Sequence, residues 1–593
     1  MDINTQVATK LVPQAKVRQT KGGQAKQKLD LLTKVIMFVT ISLLLLMIIL
    51  PLVNIFIRSS EATGVEVFKR LFTDPVTQKI FQNTVVIGLS VGALGTLIGF
   101  LLAYAQTRLQ FRGKKLLHII CLVPLISPPF AFATAVIVLF GRSGMITSDL
   151  LGMRPTLYGY PGLLIVLTTS FFPVAYMNLL GMMKNLDPSL DEAAASLGSS
   201  KFRVFRKVTF PMLIPGIASS FLLLFVAAIA DLAHPLVIGG DFTVLSSRAY
   251  IAINGEYDVP AGAAYSAILL VPGVLVFLVQ RYWGQKNNVV TVTGKPSGQV
   301  NYVKNPLAKF ALLVIPVLTA AFIVLVYLTV IFGGFIKILG VNNTFTLDWF
   351  RYIFSGIGNE AIFKTTIMAL IATPIAGILG MILAWLIVRK LKRGRELVDV
   401  LGMLGIAVPG TVLGIGYAIT FNHVLKWGDT SILPQLAGGG AIFGGATAVI
   451  MIYVIRSSPA GQRSGVAALQ QINPAIDEAS SSLGASGFRT FRKITLPLIK
   501  GALLTGLMFA FARSMTTLSA IIFITTPDTP ILTSKILSEV DAGRYGASFA
   551  FCNILIVLVL YPYNTNIDRL ISYIQEQLVY YQIVYNPELM YKS

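Results

Sequence analysis

Cysteine, histidine and acidic side chains are all scarce in this chain, and each shortage removes a class of function. Among 593 residues there are two cysteines, Cys121 and Cys552. Both sit inside apolar runs, so neither a disulfide framework nor a thiolate metal site is implied. The three histidines, His118, His234 and His423, stand on separate apolar stretches, and no pair has metal-ligand spacing. No catalytic constellation is present. A Gly-x-x-x-x-Gly-Lys-Ser/Thr loop is also missing, because Gly113-Lys114 lacks its upstream glycine. Charged residues of all kinds make up 12% of the chain against 55% hydrophobic, outside the range of a soluble domain. The charge that remains is one-sided, with 48 Lys and Arg against 26 Asp and Glu, a net +22. In a membrane protein such an excess collects on cytoplasmic loops, so no nucleic-acid partner is implied.

What the chain has in abundance is apolar runs long enough to span a bilayer. Residues 1–34 read as a basic, disordered cytoplasmic tail. Spans are expected at about 35–57, 83–107, 116–141, 160–183, 208–238 and 261–283, then at 306–332, 363–388, 397–424, 440–457, 495–525 and 546–572. The first is too long for a signal-peptide core and lacks a small-residue cleavage site, so it is read as uncleaved. Basic clusters fall on alternate loops: Arg108, Arg112, Lys114 and Lys115, then Arg389, Lys390, Lys392, Arg393 and Arg395. The linker 285–305, flanked by Arg281, has no acid. Loops on the other side mix signs, as in Asp241, Arg248, Glu256 and Asp258. An even number of spans then places both termini, including a tail at 573–593, in the cytoplasm. The fold class is all-α and polytopic.

The chain also repeats itself. NLDPSLDEAAASLGSSKFRVFRKVTFP, from Asn185 to Pro211, returns as INPAIDEASSSLGASGFRTFRKITLP, from Ile472 to Pro497. Further matches pair Phe81-Gln82-Asn83-Thr84 with Phe363-Lys364-Thr365-Thr366, Leu101-Leu102-Ala103-Tyr104 with Ile382-Leu383-Ala384-Trp385, and Arg112-Gly113 with Arg393-Gly394. Two repeats, 35–284 and 306–572, each with an even number of spans, lie parallel about an axis along the membrane normal. The Gly- and Pro-rich spans before each hairpin (Pro124, Pro128, Pro129; Pro409, Gly410, Gly414, Gly416) suit close helix packing.

Each charged copy reads as helix, turn, helix, spanning 187–211 and 473–497. Asp187 or Asn473 can cap the first helix, with Pro188 or Pro474 at its first position. The acidic pairs Asp191-Glu192 and Asp477-Glu478 fall in the first turn, where the helix dipole favours negative charge. Leu190, Ala193, Ala194 and Leu197 form a narrow apolar face, largely repeated by Ile476, Ala479 and Leu483. Gly198 and Gly484 stand where a left-handed glycine reverses the chain. Such a helix is built to lie in a groove on a water-side partner.

On these residues the segment resembles the Glu-Ala-Ala loop of permease subunits in binding-protein-dependent ABC importers. Glu478-Ala479, Gly484, Ile494 and Leu496-Pro497 match its pattern, as do Glu192-Ala193-Ala194, Gly198, Val208 and Phe210-Pro211. The departures are Ser480 for the second alanine, and Val208 and Phe210. A fused chain with Asp231-x-x-x-Pro-Leu-x-x-Gly-Gly in one half and Met-Thr-Thr-Leu-Ser-Ala in the other is similar to the ferric-iron permeases. Fused permeases for phosphonates or other small anions share much of this. Leu232-Ala233 stands where relatives often carry Phe-Gly. The resemblance implies a type I importer core with two ATP-binding cassette ATPase subunits docked on the hairpins and holding ATP and magnesium. It also implies a periplasmic or lipid-anchored substrate-binding protein on the opposite face, in a bacterial inner membrane. No cofactor is expected on this chain itself.

Polar groups inside spans mark cavities, because charge in lipid is unfavourable. Asp231 and His234 in the first half, and Arg513, Thr516 and Thr517 in the second, are the pathway candidates. Pairing of Asp231 with Arg513 across the repeat axis is an equally physical alternative. Arg456 and Ser457-Ser458 read as lying near a cytoplasmic span end, with Arg456 snorkelling. An ion-coupled secondary transporter is the rival class, and for it only Asp231 offers an intramembrane acid. The missing phosphate-binding loop yields the first prediction. The purified chain, shown by mass spectrometry to be free of other polypeptides, hydrolyses no ATP above a protein-free blank.

Overall fold

The computed structural model describes residues 30–126, 128, 130–186, 189, 193–194, 196–286, 302–391 and 393–560. The tail before residue 30, most of the 285–305 linker, the last span beyond residue 560 and the 573–593 tail lie outside the described residues. Among those described, nine helices are long and apolar enough to cross a membrane. Two sharply bent helix pairs bring the number to as many as eleven, and the shorter apolar helix Tyr545–Leu560 covers the described part of the final expected span. Helix is found in every expected span. The differences lie in where helices break.

Proline explains several of these breaks. Pro409 excludes helical backbone at Val408, whose ψ is 130°, so the span expected at 397–424 becomes Arg395–Ala407 and Gly410–Phe421, meeting at 97°. The stretch 116–141 is similarly divided into Lys114–Leu122, a short 3₁₀ turn to Ile126, and Ala131–Phe140. Elsewhere the helix widens rather than breaks. Five-residue π turns at Leu45–Ile49, Phe205–Thr209 and Phe491–Thr495 each end just ahead of Pro51, Pro211 and Pro497. A proline ring collides with the carbonyl four residues back and offers no N–H, and an extra residue in the turn relieves both.

The spans expected at 208–238 and 495–525 stop early. Phe210–Ala230 ends where Asp231 turns extended (φ −73°, ψ 134°), and Lys500–Thr516 ends at Thr517 in the same conformation (φ −68°, ψ 129°). The second also bends by 81° at Ile499. Short helices follow each break, among them Ala233–Ile238, Leu245–Asn254 and Leu532–Asp541. Span alternation puts these on the side opposite the charged hairpins. The amphipathic helix Ala62–Thr73 and two small antiparallel strand pairs, Ile336–Ile338 with Asn342–Phe345 and Leu425–Trp427 with Thr430–Leu433, lie there too.

At the centre of each half three helices cross. Pro75–Arg108 packs on Tyr160–Asn185 and Phe210–Ala230, and Ile357–Trp385 packs on Ala446–Gln471 and Lys500–Thr516. Lipid tails are as apolar as leucine, so close backbone approach must supply the association. A Cβ on Gly99 would stand 2.6 Å from the Tyr176 nitrogen, and one on Gly380 would stand 2.7 Å from the Gln462 nitrogen and the Ser458 oxygen. The two glycines occupy the same place in the repeat. The same crossing carries different polar chemistry in each half. His118 Nδ1 shares a 2.6 Å hydrogen bond with the Tyr176 hydroxyl, whereas Gln462 Nε2 donates to Asp399 Oδ1 at 2.9 Å, with Arg463 pairing to the other carboxylate oxygen at 3.4 Å. The register of the repeat is also refined. Thr84 Oγ1 accepts the Leu245 N–H, and its counterpart accepting the Leu532 N–H is Thr365, not the Thr366 that a Phe81–Phe363 match would align with it.

The crossing is directly testable. Gly380→Val drives a branched side chain into backbone on the facing helix, which is expected to destabilise the protein by about 1–3 kcal/mol. Gly439→Val, where no atom lies within 4 Å of the added Cβ, is the control. Thermal unfolding in detergent should fall clearly for the first and stay near wild type for the second.

Candidate functional site

The hairpin of the second half is described throughout. Asn473 Oδ1 accepts the Ala475 N–H at 3.0 Å, capping the helix Ala475–Ser482, and Asp477 and Glu478 fall in its first turn. At the other end Gly484 has φ +80°, and the Ala485 N–H reaches back to the Ser480 carbonyl. This is the six-to-one closure of a Schellman turn. Gly198 has the same φ of +80°, and the Ser199 N–H bonds the Ala194 carbonyl in the same way. No atom lies within 4 Å of a Cβ placed on either glycine, so backbone conformation and not crowding selects glycine there. Asp187, Pro188, Leu190, Asp191 and Glu192 of the first hairpin lie outside the described residues.

Packing decides which side chains remain available to a partner. Asp477 turns inward: Arg389 Nε pairs with Asp477 Oδ2 at 3.0 Å, while Arg389 Nη2 donates to the Leu469 and Ile472 carbonyls at 2.9 and 2.7 Å. One guanidinium thus ties the hairpin to the end of the Ala446–Gln471 helix. Ser480 is buried and hydrogen-bonded to the Thr490 hydroxyl at 2.8 Å, joining the two hairpin helices. At the matching places in the first half stand Ala194 and Val204, an apolar pair. The departure at Ser480 is therefore one member of a matched change. Below the turn, Phe205 lies edge-on to Tyr104 with centroids 5.7 Å apart, and Phe491 lies 5.1 Å from Trp385. The two repeated motifs, Phe-Arg-Lys and Ala-Tyr/Trp, meet here to seat the hairpin on the bundle. Facing outward are Glu478, Ala193, Ala479 and two leucines, Leu197 and Leu483, which are 87% and 89% exposed. These water-facing leucines have no cover within the described chain.

Between the halves lies a cavity of about 270 Å³. Its wall includes all five candidates read from sequence: Asp231, His234, Arg513, Thr516 and Thr517. Asp231 Oδ1 accepts the His234 backbone N–H and meets His234 Nδ1, both at 2.9 Å, and the Ser246 hydroxyl donates to the Asp231 carbonyl. Asp231 is therefore engaged within its own segment, and no ion pair with Arg513 forms among the described residues. Arg456 is the correction of consequence. It is buried on the Ala446–Gln471 helix and lines the cavity, roughly 15 Å from one helix end and 22 Å from the other. Snorkelling is excluded by that depth. The sequence signal was present, because Arg456 aligns with Ser170, which also lines the cavity. Pro459 and Pro173, three residues beyond these two, lie inside their helices at matching positions.

The family described as binding-protein-dependent transport system inner membrane component matches residues 95–288 and 376–573. A ferric transport system permease protein, FbpB, of Actinobacillus pleuropneumoniae is 33% identical over 90% of this chain and 78% of its own length. A putative ferric transport system permease of Haemophilus influenzae is 32% identical over 83% of this chain and 78% of its own length. The thiamine transport system permease ThiP of Escherichia coli is 26% identical over 79% and 84%.

Removing the Arg389 guanidinium takes away its hydrogen bonds to the Leu469 and Ile472 carbonyls, about 1.5–3 kcal/mol for each, together with the ion pair to Asp477. Arg389→Ala should insert at normal levels yet raise hydrogen exchange in 472–484 by about tenfold or more, with exchange in 99–105 unchanged. Equal exchange in wild type and Arg389→Ala would show that Arg389 does not hold the hairpin.

Proposed function

The chain belongs to the binding-protein-dependent transport system inner membrane components, and from that premise we propose that it forms the full transmembrane core of an ABC importer. As a multi-pass permease of that family it is a transport subunit and not an enzyme. Its cargo, on the strength of the relatives' names, is ferric iron. Two ATPase subunits, carrying ATP and magnesium, dock on the hairpins from the cytoplasm, where both termini also lie. A substrate-binding protein hands over cargo on the opposite face, and Asp231, His234, Arg513, Thr516 and Thr517 line the path it takes.

The single observation that carries this reading is the pair of hairpins. Each ends in a left-handed glycine, presents one almost fully exposed leucine to water, and is fastened to the bundle by an aromatic contact. An exposed apolar knob on a rigid mount fits a groove on a water-side partner. Closure of the ATPase dimer would then press on helices that cannot deform independently of the bundle. Ala193, Ala194, Leu197, Gly198, Ala479, Leu483 and Gly484 form the contact with Glu478, and Asp191 and Glu192 are assigned to it by the repeat. Asp477 is the exception, serving as the anchor to Arg389. The ion-coupled alternative is weakened by Asp231, whose carboxylate is engaged by His234 and whose repeat counterpart is Thr517. Import of a phosphonate or another small anion stays a second reading, favoured by the two arginines in the cavity wall.

A β-branched residue at φ +80° is strained by roughly 1–2 kcal/mol. Gly198→Val combined with Gly484→Val should insert normally but lose co-purifying ATPase and binding-protein-stimulated hydrolysis in proteoliposomes, with single changes partial. Glu478→Lys should weaken docking by reversing charge. A doubly substituted chain that couples as wild type does would remove the hairpins from this role.

A further inference from the structure

The repeat places the same positions from each half around one cavity, and the two halves fill them with opposite chemistry. Ser170 of the first half aligns with Arg456 of the second, Ala227 with Arg513, and Asp231 with Thr517, and all six line the wall. Of the four ionisable lining residues, Asp231 and His234 are engaged with each other, and the other two are arginines. Arg456 Nη1 lies 3.3 Å from where a Cβ on Gly410 would stand, beside Ser519 Oγ. Gly410 is the first residue of the Gly410–Phe421 helix, so the positive end of that helix opens at the same wall. Thr516, Thr517 and Ser519 add hydroxyls.

From this we infer that the cavity receives its cargo through anionic oxygens, of the phosphate, phosphonate or carboxylate class. The inference rests on the importer reading and narrows its substrate. A bare trivalent cation beside two guanidiniums is repelled, and repulsion grows as the surroundings lose water. Guanidinium presents a planar fork of donors that matches phosphate and carboxylate oxygens, and it stays charged when buried. Iron that passes this wall therefore does so inside an anionic chelate, with the chelator's oxygens facing Arg456 and Arg513. A free oxyanion solute would meet the same groups. The wall is thus polarised, with the Asp231–His234 pair on the first half and two guanidiniums on the second.

The test uses the full complex with its ATPase subunits and binding protein in proteoliposomes. Uptake is followed for radiolabelled iron given as ferric citrate with labelled citrate, and for labelled methylphosphonate. Co-entry of iron and citrate identifies a chelate; entry of methylphosphonate identifies the free oxyanion. Arg513→Gln should lower uptake of whichever probe moves by about tenfold or more at unchanged membrane levels. Arg513→Lys should fall between wild type and Arg513→Gln, since charge is retained though the fork is lost. The inference is overturned if Arg513→Gln and Arg456→Gln transport as well as or faster than wild type, if Arg513→Lys is as impaired as Arg513→Gln, if iron enters without citrate, or if wild type shows stimulated ATPase but moves neither probe. A wild-type complex with neither stimulated hydrolysis nor uptake would instead sink the importer reading.

Discussion

The close crossing of helices at Gly99 and Gly380 is the contact on which the remainder of the architecture depends. In lipid no solvent force pushes apolar helices together, so a place where backbone touches backbone acts as the organising point. Each crossing fixes the angle between two long helices, one that leads to the basic loop and one that leads to the hairpin. A third helix, returning from the hairpin, closes the cluster. The aromatic seat of the hairpin, Tyr104 on Phe205 or Trp385 on Phe491, comes about five residues beyond the glycine on the same helix. Glycine spacing therefore sets where the docking surface stands.

Around this shared geometry the halves have diverged in pairs. His118–Tyr176 answers to Asp399–Gln462, and Ala194 with Val204 answers to Ser480 with Thr490. In each case both partners of a contact change together, as buried polar groups demand, because a lone unsatisfied partner would be destabilising by about 1–3 kcal/mol. The cavity wall shows the same latitude without the pairing rule. There the side chains face space, and a serine can stand where an arginine stands in the other half.

Much of this was legible in the sequence. Apolar runs and the repeated hairpin located the helices, the two halves and the two positive-φ glycines. Less legible were breaks inside spans. Asp231 and Thr517 end their helices with apolar residues on both sides, so hydropathy runs on across them. The depth of Arg456 was misread because its neighbours Ser457 and Ser458 suggested a span edge, although the helix continues through a polar stretch to Gln471. The anchor between Arg389 and Asp477 joins residues far apart in sequence and carries no periodic signal. The short strand pairs on the far face were missed for a like reason: strands of three or four residues offer too little alternation to read.

Pro459 gives the Ala446–Gln471 helix a mechanical property. Its missing N–H leaves the Ile455 carbonyl outside the helical ladder, and Gly405 approaches that oxygen so closely that no Cβ could fit between them. Stiffness in a helix comes from an unbroken ladder, so the rod is jointed there, with Arg456 just on the far side of the joint from the hairpin. Arg389 clamps the near end. Under the proposed coupling, a load entering at Gln471 meets the weakest point of the helix at Pro459, one turn from the side chain that faces the cavity.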